Sequence, residues 1–374
     1  MPKPKKTSLL PIKVPHPLDL NEAAQSVAGY IGRGDTSIFD PIQTGLLLLD
    51  QAMGGTEEEP GGFHPEDLWL LAGAQGVGKT SLVLQIAHHM GCEGVLAIVV
   101  CYEHSPITLW ERMVCQLSGA IGQAEQGGAG DGLVDIASLR STYREMITDY
   151  KGDNLNEERL IDELLSRFSN GSEIWAQLSR AASNVWLIKG DPLYTNPDAL
   201  ESYVKMAKEE GHKRMVLFVD YVQRVPVPPQ HGRLLGTMER IEFSLRALKG
   251  IAMTHLIPVV GVSAADAEGL RKGRIHLENM WGNATMQYEP DGALILNKDR
   301  SSDGIEQIRI AIEKSRRGKS EIEWRYPFYG SAYQFGSPGV RILEDQSWQH
   351  ERASLKPKIK KELFPDMEEI EKTI

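Results

Sequence analysis

Four short, uninterrupted apolar runs recur along the chain: DLWLLAG (67–73), VLAIVVCYE (95–103), RMVLFVDYV (214–222) and IPVVGVS (257–263). A strand that is apolar at every position, rather than at every second one, has both faces covered, which is the condition of a strand inside a parallel sheet. The stretches SLVLQIAHHM (81–90), SPITLWERMVCQLSG (105–119), LESYVKMAKEEG (200–211) and MERIEFSLRALKGIA (238–252) carry apolar residues at helical spacing and read as the covering helices. DGALILNKD (291–299) and QIRIAIEKS (307–315) read as a late pair of strands. The pattern predicts an α/β fold: a mostly parallel central sheet flanked by helices, with a late β-hairpin.

The rest of the chain attaches to that frame. With 374 residues there is room for one large α/β domain with additions. Residues 1–40 read as an N-terminal arm, Pro- and Lys-rich to residue 20, then a short helix over NEAAQSVAGYIG (21–32) capped by Asn21. Residues 41–345 are the expected core, and 346–374 a charged tail. Within the core, 121–173 breaks the rhythm. It opens with a flexible glycine run, GQAEQGGAGDG, and later sets Leu160, Ile161, Leu164, Leu165 and Phe168 on one helix face, so a helical insertion is predicted. Three cysteines without CxxC spacing fit a reducing cytoplasm. No apolar run reaches membrane-spanning length and the N-terminus lacks a signal-peptide core, so a cytoplasmic protein with no membrane partner is expected. A net charge of −10 excludes a global positive field for nucleic acid, though not a local one.

The run GAQGVGKT fits GxxxxGK[ST] from Gly73 to Thr80, between an apolar strand and a helix. Glycines let successive backbone N–H groups turn inward around phosphate oxygens, and the new helix aims its positive end at them. Gly73, Ala74, Gln75, Gly76, Val77, Gly78, Lys79, Thr80 and Ser81 are therefore the expected phosphate loop of a nucleoside triphosphate. Lys79 would reach the β- and γ-phosphates and the Thr80 hydroxyl would ligate Mg²⁺. Asp220, ending the apolar run RMVLFVD, supplies the second group for the Mg²⁺ shell. Glu103, just past the strand after the loop's helix, can face the γ-phosphate and polarise an attacking water. His88, His89 and Cys92 have no further ligands at recognisable spacing and are not read as a metal site.

Asp220-Tyr221-Val222-Gln223 after an apolar strand resembles the DYxQ segment of DnaB-type replicative ring helicases. CYEHSPITLWERM (101–113) resembles the segment carrying their catalytic glutamate, and PIQTGLLLLDQAMGG followed by FHPEDLWLLAG resembles the opening of that core and of its KaiC-like relatives. The resemblance runs from about residue 41 to about 336, apart from most of 121–173. It implies a RecA-like core that assembles as a ring, expected as a hexamer, with ATP between subunits. It also implies a basic finger from a neighbour, and IEKSRRG (312–318) offers Lys314 and Arg316 for it. A guanidinium on the γ-phosphate neutralises transition-state charge and couples hydrolysis to the interface.

Departures from the family pattern keep two functions open. Where those helicases carry Ser-Gln, the glutamine sensing the γ-phosphate, this chain has Ser263-Ala264. The stretch matching their DNA-gripping loop, ENMWGNATMQYEPDG (278–292), has Trp281-Gly282 in place of Arg-Glu. An indole there can stack on a base. Candidates for nucleic-acid contact are Arg224, His231 and Arg233 in one loop and Asn279, Trp281 and Asn283 in the other. An N-terminal helical domain like that of the family's complete helicases is not expected ahead of the core. One reading is an ATP-driven ring motor on single-stranded DNA. The other is a RecA/KaiC-like ATPase switch or assembly protein that does not translocate. A protein partner at the 121–173 insertion is a further expectation.

Overall fold

The computed structural model describes residues 17–56, 58–59, 61–126, 133–149, 157–228, 235–265, 273–280, 285–302, 305–336 and 339–341. The chain divides into two units, Met1–Asp40 and Pro41–Ile374. In the first, helix α1 covers Leu20–Gly32. Its cap is Asp19 rather than the expected Asn21: the Asp19 carboxylate accepts from Asn21 N and Glu22 N, and Glu22 accepts from Asp19 N. This reciprocal box satisfies amides at both positions, which a cap at Asn21 would leave open.

The second unit is built on one sheet. Its strands are β1 (Leu68–Gly73), β2 (Leu96–Cys101), β3 (Val185–Lys189), β4 (Met215–Asp220), β5 (Val259–Ala264), β6 (Gly292–Ser302), β7 (Ile305–Ser315), β8 (Ile322–Tyr329), β9 (Gln334–Phe335) and β10 (Val340–Arg341). Across the sheet the order is β10-β8-β7-β6-β1-β5-β4-β2-β3, with β9 paired onto β8. From β6 to β3 every neighbouring pair is parallel, and β6, β7 and β8 continue antiparallel. β1, β2 and β4 are buried at every position, as runs without alternation require.

Two apolar cores lie on the two faces. One gathers α2 (Leu47–Ala52), α3 (Lys79–Cys92), α4 (Pro106–Gln126), α5 (Ile136–Asp149), α6 (Glu157–Ser166) and α7 (Gly171–Ala181). The other takes α8 (Pro197–Glu209) and α9 (Thr237–His255). A short helix, α10 (Thr285–Tyr288), precedes β6. α4 runs past the predicted end at Gly119, while most of the glycine run (127–132) lies outside the described residues. Helices α5 and α6 pack through Leu139, Leu164 and Leu165, and Arg140 of α5 clasps the buried Glu111 of α4 with two hydrogen bonds. Pro106, Ile107 and Trp110, with Tyr143, Ile147 and Ile161, line an apolar groove of about 750 Å³ beside them. The tail 346–374 lies outside the described residues.

Candidate active site

In an open parallel sheet the carboxyl ends of the strands form the natural crevice. Here β1 ends at Gly73 beside Ala264, the end of β5, and β2 ends at Cys101 beside Asp220, the end of β4, which pairs with Val262 two residues short of the end of β5. The loop after β1 turns through Gly76 (φ 74) and Gly78 (φ 89) into α3, whose first residue is Lys79. Val77 is fully buried and anchors the loop, while Gln75 and Gly76 are exposed. Gly78 lies against two rings: a Cβ there would stand 3.0 Å from Phe335 and 3.1 Å from Phe328.

The Lys79 ammonium donates to Gly73 O at 3.0 Å and Ala74 O at 2.7 Å, folding back over its own loop. Burial lowers its pKa, and the charges of Asp220 and Glu103 pull it back up. The Thr80 hydroxyl donates to Asp220 Oδ2 at 2.6 Å. Asp220 is 2% exposed. Burial raises its pKa, the Thr80 hydrogen bond opposes that rise, and the Glu103 charge adds to it. Cys101 Sγ also donates to Asp220 Oδ2, at 3.8 Å. Glu103 is exposed, one residue beyond Tyr102, whose backbone N–H donates to Asp220 O at 2.7 Å. Lys79, Thr80, Glu103 and Asp220 are thus brought to one crevice. A hydroxyl and a carboxylate side by side form the hard-oxygen set that suits Mg²⁺, which takes its remaining ligands from water and phosphate. Among the described residues no group of three His, Cys, Asp or Glu side chains forms a metal cage. The Thr80–Asp220 pair, with its two hard oxygens side by side, fits a phosphate-bound Mg²⁺.

The contacts of three glutamine side chains near this edge escaped sequence reasoning. Gln223 Nε2 donates to Ser263 Oγ at 2.8 Å, joining the DYxQ segment to the end of β5. Gln223 Oε1 is buried without a partner among the described residues. The residues are forty apart, and only the pairing of β4 with β5 brings them together. Gln116 Nε2 bridges Ser81 O and Tyr333 O at 2.7 Å each, and Gln85 exchanges hydrogen bonds with Phe335, tying the loop's helix to β9 and the turn before it. Burial lowers the pKa of His88 and His89. His88 Nε2 meets Gln177 O at 3.2 Å.

The basic pair sits elsewhere. β7 runs antiparallel, so Ser315 pairs with Gly292 at the beginning of β6, and Arg316 N donates to Asp291 O. Asp291 accepts from Leu68 N, which places Arg316 level with the amino end of β1. At roughly 3.3 Å per residue, Gly73 is then about 17 Å farther along the strand. Lys314 Nζ donates to Gln287 O and Tyr288 O, and Arg316 pairs with Asp291 at 2.8 Å. Neither cation faces its own chain's 73–80 loop.

His231, Arg233, Trp281 and Asn283 lie outside the described residues. Arg224 is exposed and donates to Tyr221 OH. Asn279 is 4% exposed, and its Oδ1 accepts from His276 N, so it packs inward instead of facing a strand of nucleic acid.

Residues 42–336 match the family described as the DnaB-like helicase C terminal domain. The DNA repair protein RadA of Mycobacterium tuberculosis is 37% identical over 86 residues, which is 22% of this chain and 17% of that protein. The chain therefore spans about a sixth of the length of the curated relatives it matches. Among solved structures, one described as an ATPase domain superposes with a TM-score of 0.63 at 16% identity, covering 87% of this chain and 99% of that one. A DnaB-like replicative helicase, described with its interactions with primase, gives 0.61 at 16% identity over 87% of this chain and 69% of that one. At that identity the likeness shows the fold, which is RecA-like.

Proposed function

Given that the chain belongs to the DnaB-like helicase C-terminal domain family, we propose that it is an ATPase that assembles as a ring, expected as a hexamer, and drives movement along single-stranded DNA. The observation that carries this reading is the division of labour between the two ends of the sheet. Lys79, Thr80, Glu103 and Asp220 gather at the carboxyl edge, while Arg316 and Lys314 emerge at the amino edge, beyond reach of the same site. A cation so placed serves a second copy of the chain.

At the crevice the Lys79 ammonium exchanges its two loop carbonyls for phosphate oxygens, and the inward amides of the loop hold the rest of the phosphate chain. Thr80 and Asp220 would hold Mg²⁺, which when bound offsets phosphate charge. The exposed Glu103 carboxylate orients a water against the γ-phosphorus and takes its proton as the bond to the ADP oxygen breaks. A neighbour's Arg316 neutralises charge on the transferred group.

A second reading, an ATPase switch without translocation, is favoured by Ala264. It stands beside Gly73 in the β1–β5 pairing and carries only a methyl group where the helicases carry the sensing amide. The proposed partners are further copies of this chain, single-stranded DNA, and a protein at the 121–173 segment, where exposed Ile107 and Ile147 edge the apolar groove. Among the described residues no helix is long and apolar enough to cross a membrane. Titrating ATPase rate against single-stranded DNA decides between motor and switch. Stimulation supports the motor. An assembled ATPase indifferent to DNA, with no strand bound at low salt, leaves the switch.

A further inference from the structure

Arg316 is not free at the surface. Its Nη1 meets Asp291 Oδ1 at 2.8 Å and its Nη2 donates to Tyr288 O at 3.2 Å. The pair is one-sided: the Asp291 side chain is 4% exposed and that of Arg316 55%. The Asp291 carboxylate has further partners inside, accepting from Leu68 N at 2.8 Å and from Lys249 Nζ of α9 at 2.7 Å. Lys249 also donates to Glu66 O, which holds it in place.

We propose that Asp291 is a releasable rest for the Arg316 guanidinium and so governs how readily Arg316 is handed to a neighbouring copy's phosphate loop. This rests on the finger role given to Arg316 above. A buried carboxylate with one cationic partner resists losing it, because an uncompensated charge stays behind. Asp291 has two. When Arg316 swings outward it gives up Oδ1, while the Lys249 ammonium and the Leu68 amide keep their hold on Oδ2, so a positive charge stays beside the carboxylate. The surroundings also favour release. Lys314 shares the Tyr288 carbonyl with Arg316, so a like charge stands beside it. Glu289, another acidic group close by, is engaged by Arg246 of α9. Arg317, the next residue along, is held more tightly: its Nε meets both oxygens of Asp67, on which Lys249 acts through space without a hydrogen bond among the described residues.

Two substitutions in the full chain test the rest with opposite signs, both at the end of the sheet away from the phosphate loop. ATPase rate is followed against protein concentration. Asp291→Asn frees the guanidinium and should lower the concentration at half-maximal rate by about two- to fivefold, the scale of a part-exposed ion pair. Lys249→Gln takes away the competing ammonium, leaves the carboxylate dependent on Arg316, and should raise that concentration by a similar factor. Simple structural damage moves both variants the same way, and that result, or no shift in either, overturns the proposal. If Asp291→Asn does not fold, the direction of Lys249→Gln decides alone. The finger itself is checked separately by mixing Arg316→Ala chains with Lys79→Ala chains. No recovered activity in co-assembled mixtures removes the finger role. Recovery that is unchanged when the Lys79→Ala chain also carries Asp291→Asn removes the rest and leaves the finger standing.

Discussion

Replacing Gly78 by alanine probes the turn through which the 73–80 loop enters α3. The backbone there is left-handed, φ 89 and ψ 18, a conformation that costs an L-residue roughly 1–2 kcal/mol. The new methyl also meets Phe335 at 3.0 Å and Phe328 at 3.1 Å, inside the ordinary carbon contact distance of about 3.5–4.0 Å. Those rings are 0% and 7% exposed and lie 4.8 Å apart. They have little room to retreat, and overpacking of this kind costs about 1–3 kcal/mol. The sum is about 2–5 kcal/mol, a large share of the roughly 5–15 kcal/mol by which domains are stable. Gly76→Ala provides the comparison, because Gly76 is also left-handed (φ 74) but has nothing within 4 Å of its Cβ position. It should lose only the backbone part. Thermal and urea unfolding of the two variants should therefore differ by about 1–3 kcal/mol, with Gly78→Ala the weaker. If Gly78→Ala unfolds no earlier than Gly76→Ala, the rings do not press on the loop and the packing argument is wrong. Nucleotide affinity should fall in both and is not the discriminating measurement.

Glu103→Gln should bind ATP normally and fail to turn it over, whereas Lys79→Ala should not bind. Fluorescent-nucleotide titration beside phosphate release reads both, and normal turnover by Glu103→Gln removes it as the water-orienting group. Trp281→Ala should weaken single-strand binding by about 1–3 kcal/mol, the worth of one base–aromatic stack. Anisotropy with labelled oligonucleotides and a non-hydrolysable ATP analogue measures this, and unchanged affinity rules out stacking. Burial raises the Asp50 carboxyl to about 7, against the opposing hydrogen bonds from Thr44 and Gly45. A carboxyl that holds its proton in the folded state and loses it in the unfolded one stabilises at low pH, and that support drains as pH rises from about 4 to about 7. Relative to Asp50→Asn, the native protein should lose melting temperature across that window and run parallel above it. Parallel curves throughout would mean that Asp50 ionises alike in both states.

Much of the architecture was legible because the parallel strands are buried on both faces and leave no alternation to misread. β1, β2, β4 and β5 fall inside the four apolar runs or end one residue past them, and the late hairpin is β6 with β7. β8 was not legible. Its IEWRYPFY alternates, and Pro327 argues against a strand interior, yet the strand sits near the sheet's edge, where a missing donor is tolerated. β3 is partly exposed along its length, so it lacks the fully buried apolar run that announces the other parallel strands. The two-residue strands β9 and β10 have no signature at all. At the site, the loop and its aspartate announce themselves because their chemistry demands fixed spacing. Gln223 on Ser263, Gln116 on Ser81, and Lys314 on Gln287 are set by the fold, and spacing along the chain says nothing of them.

If Arg316 serves the 73–80 loop of a neighbouring copy, as proposed, their opposed placement has an arithmetic consequence for the assembly. Contacts in which one end of a subunit meets the other end of the next are head-to-tail, so they either close on themselves or grow without limit. In a closed assembly every chain completes one site, and turnover per chain is independent of the number of chains. In an open stack the first chain holds an unserved phosphate loop and the last an unused arginine, so one site is always missing and turnover per chain climbs with length toward a plateau. Rates measured on size-fractionated assemblies therefore report closure without an image of the particle. Chains blocked at only one end terminate a stack but poison a ring.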